Sequence, residues 1–273
     1  MSKRLGLLAG GGTLPAVLAS GARAQGFEVH LITFEAQPQP QLDGEKIASH
    51  AKVGLGAIGK TLAQLKAKRV THVAMAGNLN RPSLFTLKLD THGLRLLPRL
   101  RSFSDDALLK VCTGYLAEKG FTILGVADLA PQLLAPAKLL TRLKPNSADK
   151  ADIALAIAAL EDLGKHDIGQ AAIVHHGSIL GIEGVEGTDA LIERCAPLRG
   201  KLANNQRAGV LVKMAKPGQT DLADLPTVGP HTLKLLGQLG YRGVAVQAGK
   251  TILLGGDAFA PAADKAGLFV TGI

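Results

Sequence analysis

Three stretches of this chain carry residues that could work on phosphate. The first is GLGAIGKT, which matches G-x-x-x-x-G-K-[ST] from Gly54 to Thr61 letter for letter, the pattern of a phosphate-cradling P-loop. A P-loop needs a buried strand before it, a helix after it, and an acid on a neighbouring strand to hold Mg2+. The helix is legible in IGKTLAQLKAK. The strand is doubtful, because KIASHAKV is half polar and carries His50 and Lys52. THVAMAGN ends in Gly77-Asn78, and the acid that could serve, Asp128, closes the last strand of that half. The stretch reads better as a glycine-rich turn into a helix, with Lys60 on a solvated face.

The second stretch, AGGGTLP, follows the first apolar run and opens the first helix. Backbone N–H groups and the helix dipole there favour an anion, so Gly10, Gly11, Gly12, Leu14 and Pro15 are candidate phosphate or nucleotide contacts. The stretch falls short of G-x-G-x-x-G/A at Pro15, and the second strand offers only Glu35 as a ribose-binding acid. AGNLNRPS leaves the third strand, and in an open parallel sheet ligands bind beyond the carboxyl ends of the strands. Asn78, Asn80 and Arg81 are therefore expected to face the same crevice as Gly10–Gly12, with the Arg81 fork able to hold two phosphate oxygens.

The third stretch lies in the second half. EGVEGTDALIER sets Glu186 and Asp189 around Gly187-Thr188 at a helix start. Local sequence favours plain N-capping by Thr188 or Asp189; the chemical alternative is an acid pair that orients Mg2+ or a water. KMAKPGQTDLADLPTVGPHT (213–232) is a long polar segment between a strand and a helix, bearing Lys213, Lys216, Gln219, Thr220, Asp221, Asp224 and Thr227. Loops of that length are usually functional or disordered, and Leu222, Leu225 and Val228 argue against disorder. Lysines with carboxylates suit metal-assisted phosphate chemistry, in which cations neutralise phosphate and a carboxylate holds the metal or the water.

The elements that must position these residues are of two kinds. Up to about residue 130, apolar runs at 4–10, 27–34, 71–77 and 121–127 alternate with helical stretches. That alternation predicts a parallel sheet with helices on both faces, a Rossmann-like α/β domain over 1–130. LAPQLLAPAKLL breaks the rhythm with Pro131 and Pro136, and 131–137 reads as a linker. Beyond it, 138–273 mixes helices with two expected hairpins, one around His176-Gly177 and one around Gly249-Lys250, in α+β style. Ser104 and Ser147 are the expected caps of the helices that follow them.

Composition narrows the classes. The 273 residues are 47% hydrophobic with 33 Gly and 13 Pro, a turn-rich α/β composition. Aromatics are 3% with no Trp, which counts against single-stranded nucleic acid as a partner. The net charge is +9, and part of the excess lies at 81–101, in Arg81, Lys88, Arg95, Arg99 and Arg101. Such a patch is a solvated face or a surface for an anionic partner. Cys112 and Cys195 lack metal-like spacing and read as thiols in a reducing compartment. With no leader and no membrane-length apolar run, the expectation is a cytoplasmic protein that at most touches a membrane from outside.

AGGGTLP, AGNLNRP, DDALL, DIGQAAIV, EGTDALIER, KPGQTDLADLPTVGPHT and GVAVQAGKTILL stand in the order expected of the LpxI-type UDP-2,3-diacylglucosamine pyrophosphatases, which the chain resembles from about residue 4 to residue 272. The resemblance implies hydrolysis of the pyrophosphate of UDP-2,3-diacylglucosamine in lipid A biosynthesis. It further implies water attack on the sugar-side phosphorus, the products UMP and 2,3-diacylglucosamine 1-phosphate (lipid X), Mg2+ dependence, substrate in an interdomain cleft, and a homodimer. The family's catalytic aspartate, in its D-L-P-x-[IV]-G segment, falls on Asp224. Thr188 and Asp189 match its G-T-D motif. The chain departs where the family pattern has an Asp and then an Arg after the Gln of this loop; here Thr220, Asp221 and Leu222 fill that space.

The residues thus nominate Asp224, Asp189, Lys213 and Lys216 for catalysis. Asp224, Asp189 and Glu186 are nominated for Mg2+, and Gly10–Gly12, Leu14, Pro15, Asn78, Arg81, Thr188, Gln219 and Thr227 for substrate. The rival readings are a P-loop NTPase built on Gly54–Thr61 and a nucleotide-sugar binding module without turnover.

Overall fold

The computed structural model describes residues 3–42, 44–80, 87–100, 105–202, 206–217, 222 and 225–273, with the side chains of 105–106 and 199–202 left aside. The chain forms two compact units, the first built on described residues up to Pro131 and the second on residues 132–217 and 225–273.

In the first unit the elements run β1 (Lys3–Ala9), α1 (Leu14–Ala24), β2 (Phe27–Phe34), β3 (Ser49–Val53), α2 (Ile58–Ala67), β4 (His72–Ala76), α3 (Thr91–Leu96), α4 (Asp105–Glu118), β5 (Thr122–Leu124) and α5 (Val126–Leu129). The five strands make one wholly parallel sheet in the order β3-β2-β1-β4-β5. β1 and β2 are near-continuous apolar runs because both lie inside the sheet with both faces covered. The strand order reverses beside β1, so the gap between the ends of β1 and β4 is the topological switch point.

Ser49–Val53 does form a strand, against the expectation from its polarity. It lies at the sheet edge, where His50 and Lys52 turn outward while Val53 is buried. An edge strand with one open face tolerates that alternation. Its neighbour on the core side supplies Ile32 and Phe34, which pack with Val53, Leu62, Leu65, Val73 and Phe121.

The second unit runs α6 (Ser147–Gly164), β6 (Ala171–His175), β7 (Ser178–Ile182), α7 (Thr188–Leu202), β8 (Val210–Lys213), β9 (Thr227–Val228), α8 (Pro230–Gln238), β10 (Gly243–Val246), β11 (Ile252–Leu253), α9 (Phe259–Lys265) and β12 (Phe269–Gly272). Its main sheet is mixed, in the order β12-β10-β8-β6-β7. β12, β10 and β8 are parallel, and β6 and β7 run antiparallel at one side. One face carries Ile173, Leu211, Val244 and Val270, packed with Leu191, Ile192 and Leu233 of α7 and α8. The other carries Ala172, Val174, Val212 and Phe269, packed with Ile153, Ala156 and Leu160 of α6.

The hairpin expected around His176-Gly177 is present, its turn held by the buried Asp152, which accepts from the N–H groups of His176 and Gly177 at 2.9 and 2.7 Å. The one expected around Gly249-Lys250 is not a hairpin. β10 already has β8 and β12 on its two sides, so the chain turns away and β11 pairs in parallel with β9 instead. The cap of α6 is Asn146, one residue before the expected Ser147, in a reciprocal capping box with Asp149. Ser104 lies outside the described residues. In the stretch read as a linker, Ala135 exchanges backbone bonds with Thr251 and Gly249 and thereby joins the second unit.

Candidate functional site

A buried polar cluster in the second unit is built around Lys213, the last residue of β8. VLVK is buried at every position, and Lys213 itself is 6% exposed. A buried ammonium must be paired or hydrogen-bonded. Its Nζ donates to the Thr188 hydroxyl at 2.8 Å and to the Thr227 carbonyl at 3.1 Å. The Thr188 hydroxyl in turn donates to Glu183 Oε1 at 2.6 Å. Glu183 is equally buried, and its other oxygen takes the Gln170 N–H at 3.2 Å. A lysine cation and a glutamate are thus joined through one hydroxyl, with charge-assisted hydrogen bonds on both sides.

Each partner is delivered by the end of an element. Glu183 follows β7, Thr188 starts α7, and Thr227 starts β9, where the chain returns from the long segment that leaves β8. Thr188, expected as an ordinary cap, therefore spends its hydroxyl across the cluster. Beside it, Asp189 is half exposed and faces His231 of α8, Nε2 to Oδ2 3.4 Å. His231 and Glu183 went unnoticed in the sequence; an acid at the end of the apolar run SILGIE was the one signal for Glu183.

Two nominated residues are committed elsewhere. Glu186 is gripped by Arg194, whose Nε and Nη2 donate to the same oxygen at 3.1 and 2.9 Å. Its carboxyl is held below the usual range by its own backbone N–H and by Arg194, against a smaller opposing effect of burial. Its carboxylate is thus already paired with a guanidinium, with which a metal would have to compete. Lys216 pairs with Asp167 beside α6. Gln219 and Asp224 lie outside the described residues, which resume at Leu225. Among the described residues no group of three or more His, Cys, Asp or Glu could hold a metal. Mg2+ commonly takes only one or two protein carboxylates, with water and substrate phosphate completing its shell; of the nominated carboxylates, Asp189 is half exposed beside His231.

In the first unit the glycines after β1 and the chain after β4 meet at the switch point. Gly11 N–H donates to the Asn78 carbonyl at 2.8 Å, and Asn78 N–H returns a bond to the Gly11 carbonyl at 3.1 Å. A Cβ on Gly10 would stand 2.4 Å from the Asn78 carbonyl oxygen, and Gly12 has φ +91. The glycines are thus required by close approach and backbone conformation. Gly10 and Gly11 spend their N–H groups on Ala76 and Asn78, so neither is offered to a phosphate. Leu14 and Pro15 open α1, whose cap Thr13 makes no side-chain capping bond. Arg81 lies outside the described residues.

The P-loop look-alike is answered by Asp90. Its carboxylate accepts from Gly59 N–H at 2.6 Å, and from those of His92 and Gly93 at 3.0 and 2.9 Å. An acidic side chain therefore occupies the place at the start of α2 where a phosphate would be cradled. Thr61, which in a P-loop would reach Mg2+, is buried and donates to the Ala57 carbonyl of its own helix.

Comparison with known proteins bears on both units. The family model of the LpxI N-terminal domain matches residues 4–133, and that of the LpxI C-terminal domain matches residues 136–271. The chain is 36% identical over 278 residues to the UDP-2,3-diacylglucosamine pyrophosphatase LpxI of Caulobacter vibrioides, covering 99% of this chain and 98% of that one. The chain belongs to the LpxI family. Within this LpxI chain, the polar cluster of Lys213, Thr188 and Glu183 falls wholly in the C-terminal domain, and the glycine turn wholly in the N-terminal one. No helix among the described residues of this LpxI protein is long and apolar enough to cross a membrane.

Proposed function

We propose that this protein hydrolyses the pyrophosphate of UDP-2,3-diacylglucosamine in lipid A biosynthesis. The observation that carries this reading is the full-length relationship to an enzyme of that name. Water adds its oxygen to the sugar-side phosphorus, the bond from that phosphorus to the bridging oxygen breaks, and the bridging oxygen leaves on UMP. The sugar retains the attacked phosphate as 2,3-diacylglucosamine 1-phosphate.

Pyrophosphate brings negative charge, and attack on it adds more at the phosphorus, so fixed cations lower the barrier. Lys213 is such a cation, held by Thr188 and the Thr227 carbonyl. Asp224, on the segment between β8 and β9, is the proposed metal ligand or water activator, with Asp189 beside it in function. Mg2+, when bound, would neutralise phosphate oxygens and help to position the water. The family resemblance further supports a cytoplasmic homodimer that meets its lipid substrate at the membrane surface. Among the described cations of 81–101, Arg99 is already paired with Glu118, which leaves Lys88 and Arg95 for that contact.

Incubation with UDP-2,3-diacylglucosamine and Mg2+ should release UMP, and chelation should stop the release. Asp224→Ala should abolish turnover while substrate binding persists. Near-normal turnover by Asp224→Ala removes this mechanism. Phosphate release from ATP that is lost in Lys60→Ala would instead establish the NTPase, and binding of the UDP-sugar without UMP release would establish a non-enzymatic module.

A further inference from the structure

Lys213 stands where a hydrocarbon side chain would fit. The three residues before it in β8, Val210, Leu211 and Val212, are wholly buried, and its neighbours in the sheet are Ala171 of β6 and Val246 of β10. An ammonium and a carboxylate buried in such a place add little to stability, because apolar residues of similar volume often serve as well or better. Lys213 and Glu183 therefore call for a role beyond holding the fold.

The hydrogen bonds between them run in one direction. An ammonium only donates, so the Thr188 hydroxyl oxygen accepts from Lys213 Nζ, at 2.8 Å. The one proton of that hydroxyl goes to Glu183 Oε1, at 2.6 Å. It is thereby committed inside the protein, and Thr188 serves as the link between two charges. Glu183 is itself anchored. Its N–H donates to the Ala171 carbonyl at 2.8 Å, and its second carboxylate oxygen takes the Gln170 N–H at 3.2 Å. The Gln170 carbonyl in turn takes the N–H of Met214, the residue after Lys213, at 2.9 Å. Gly169, with φ +59, lets the end of β7 come this close, since a Cβ there would collide with the Glu183 carbonyl oxygen. The carboxylate is thus fixed to the backbone that carries the neighbour of the lysine, and reaches Nζ through Thr188.

We propose that Glu183 is a positioning residue for the hydrolysis: its carboxylate, acting through the Thr188 hydroxyl, fixes the Lys213 ammonium for the charge that develops on the attacked phosphate. The inference rests on the pyrophosphatase reading above and adds which buried group sets its cation. Glu183 touches no substrate in this scheme. A lysine side chain is flexible, and a cation lowers a barrier most when it needs no reorganisation during the reaction. A carboxylate turns the hydroxyl proton towards itself and so keeps a lone pair facing Nζ. A neutral amide in its place offers a donor as readily as an acceptor, and the hydroxyl is then no longer held in one orientation.

Glu183→Gln keeps the size of the side chain and removes its charge. With UDP-2,3-diacylglucosamine and Mg2+, kcat for UMP release per folded protein should fall about tenfold or more, the scale of one hydrogen bond to a charged group. KM should change by less than about threefold, because the lost interaction belongs to the transition state. The deciding arm repeats the substitution in Thr188→Val. With the link already cut, Glu183→Gln should cost less than a further factor of about two, whereas a residue acting independently of Thr188 would cost its full amount again. Thr188→Ser keeps both bonds and should hold kcat within about twofold of wild type while Thr188→Val loses about tenfold, a comparison that stands even if Glu183→Gln does not fold. Wild-type kcat in folded Glu183→Gln, additive losses in the double variant, or equal rates for Ser and Val at position 188 overturn the proposal. Release of UMP by the wild type that persists undiminished in these variants removes the positioning role alone; no release by the wild type removes the hydrolase reading and this role with it.

Discussion

Thr188→Val is the most direct probe of the cluster at the end of β8. The substitution keeps the shape of the side chain and deletes one hydroxyl. That hydroxyl is both the acceptor for Lys213 Nζ at 2.8 Å and the donor to Glu183 Oε1 at 2.6 Å. Both outer partners are 6% exposed, so water reaches neither easily. Hydrogen bonds to charged groups are worth about 1.5–3 kcal/mol each. Lys213 retains the Thr227 carbonyl and Glu183 retains the Gln170 N–H, so the lower half of that range applies. The expected loss is about 3 kcal/mol, roughly 6–12 °C in Tm for a unit of this size. Thr188→Ser keeps both bonds and should lose no more than about 1 kcal/mol, the worth of a methyl group. Urea unfolding with Thr188→Ser as control measures the difference directly. If Thr188→Val lies within about 0.5 kcal/mol of wild type, the hydroxyl does not join the two charges and the electrostatic role assigned to Lys213 loses its support.

Two further expectations concern the scaffold. Gly21 and Gly114 are both helical glycines, and ordinary propensity predicts that Ala at either stabilises by about 1 kcal/mol. A Cβ at Gly21 would stand 1.9 Å from the Leu129 carbonyl oxygen, whereas one at Gly114 meets nothing within 4 Å. Gly114→Ala should therefore raise the urea midpoint and Gly21→Ala should lower it, by an amount equivalent to about 2 kcal/mol. Burial works against the charge of Asp90, but the N–H bonds from Gly93, Gly59 and His92 together hold its carboxyl below the ordinary value. A carboxyl depressed in the folded state contributes stability above its unfolded pKa and loses it as pH falls through the folded one. Asp90→Asn should accordingly be less stable than wild type at pH 7, with the gap closing towards low pH in thermal melts.

Much of the architecture could be read from residues, and the misses have physical causes. FEVHLITF is β2 to the residue because a strand covered on both faces is an apolar run with few alternatives. SHAKV was harder because an edge strand is written half in polar letters. The false hairpin at Gly249-Lys250 followed from local turn chemistry, whereas the partners of β10 are fixed by strands far away in sequence. The same locality hid the roles of Thr188 and Gly59. Thr188 looks like a cap until Lys213 and Glu183 come to it from other elements. GLGAIGKT looks like an anion site until Asp90 arrives from 31 residues further on. Motifs report what a stretch could do alone; which partner reaches it first is decided by topology.

The reciprocal backbone bonds between Gly11 and Asn78 have a dynamic consequence. They tie the exits of two parallel strands into a short crosswise stitch at the place where a doubly wound sheet is ordinarily open. The loops on either side of that stitch cannot swing independently, since moving one tears two main-chain bonds from the other. Slow amide exchange at both residues, on the timescale of the sheet centre rather than of a surface loop, is how the stitch would announce itself.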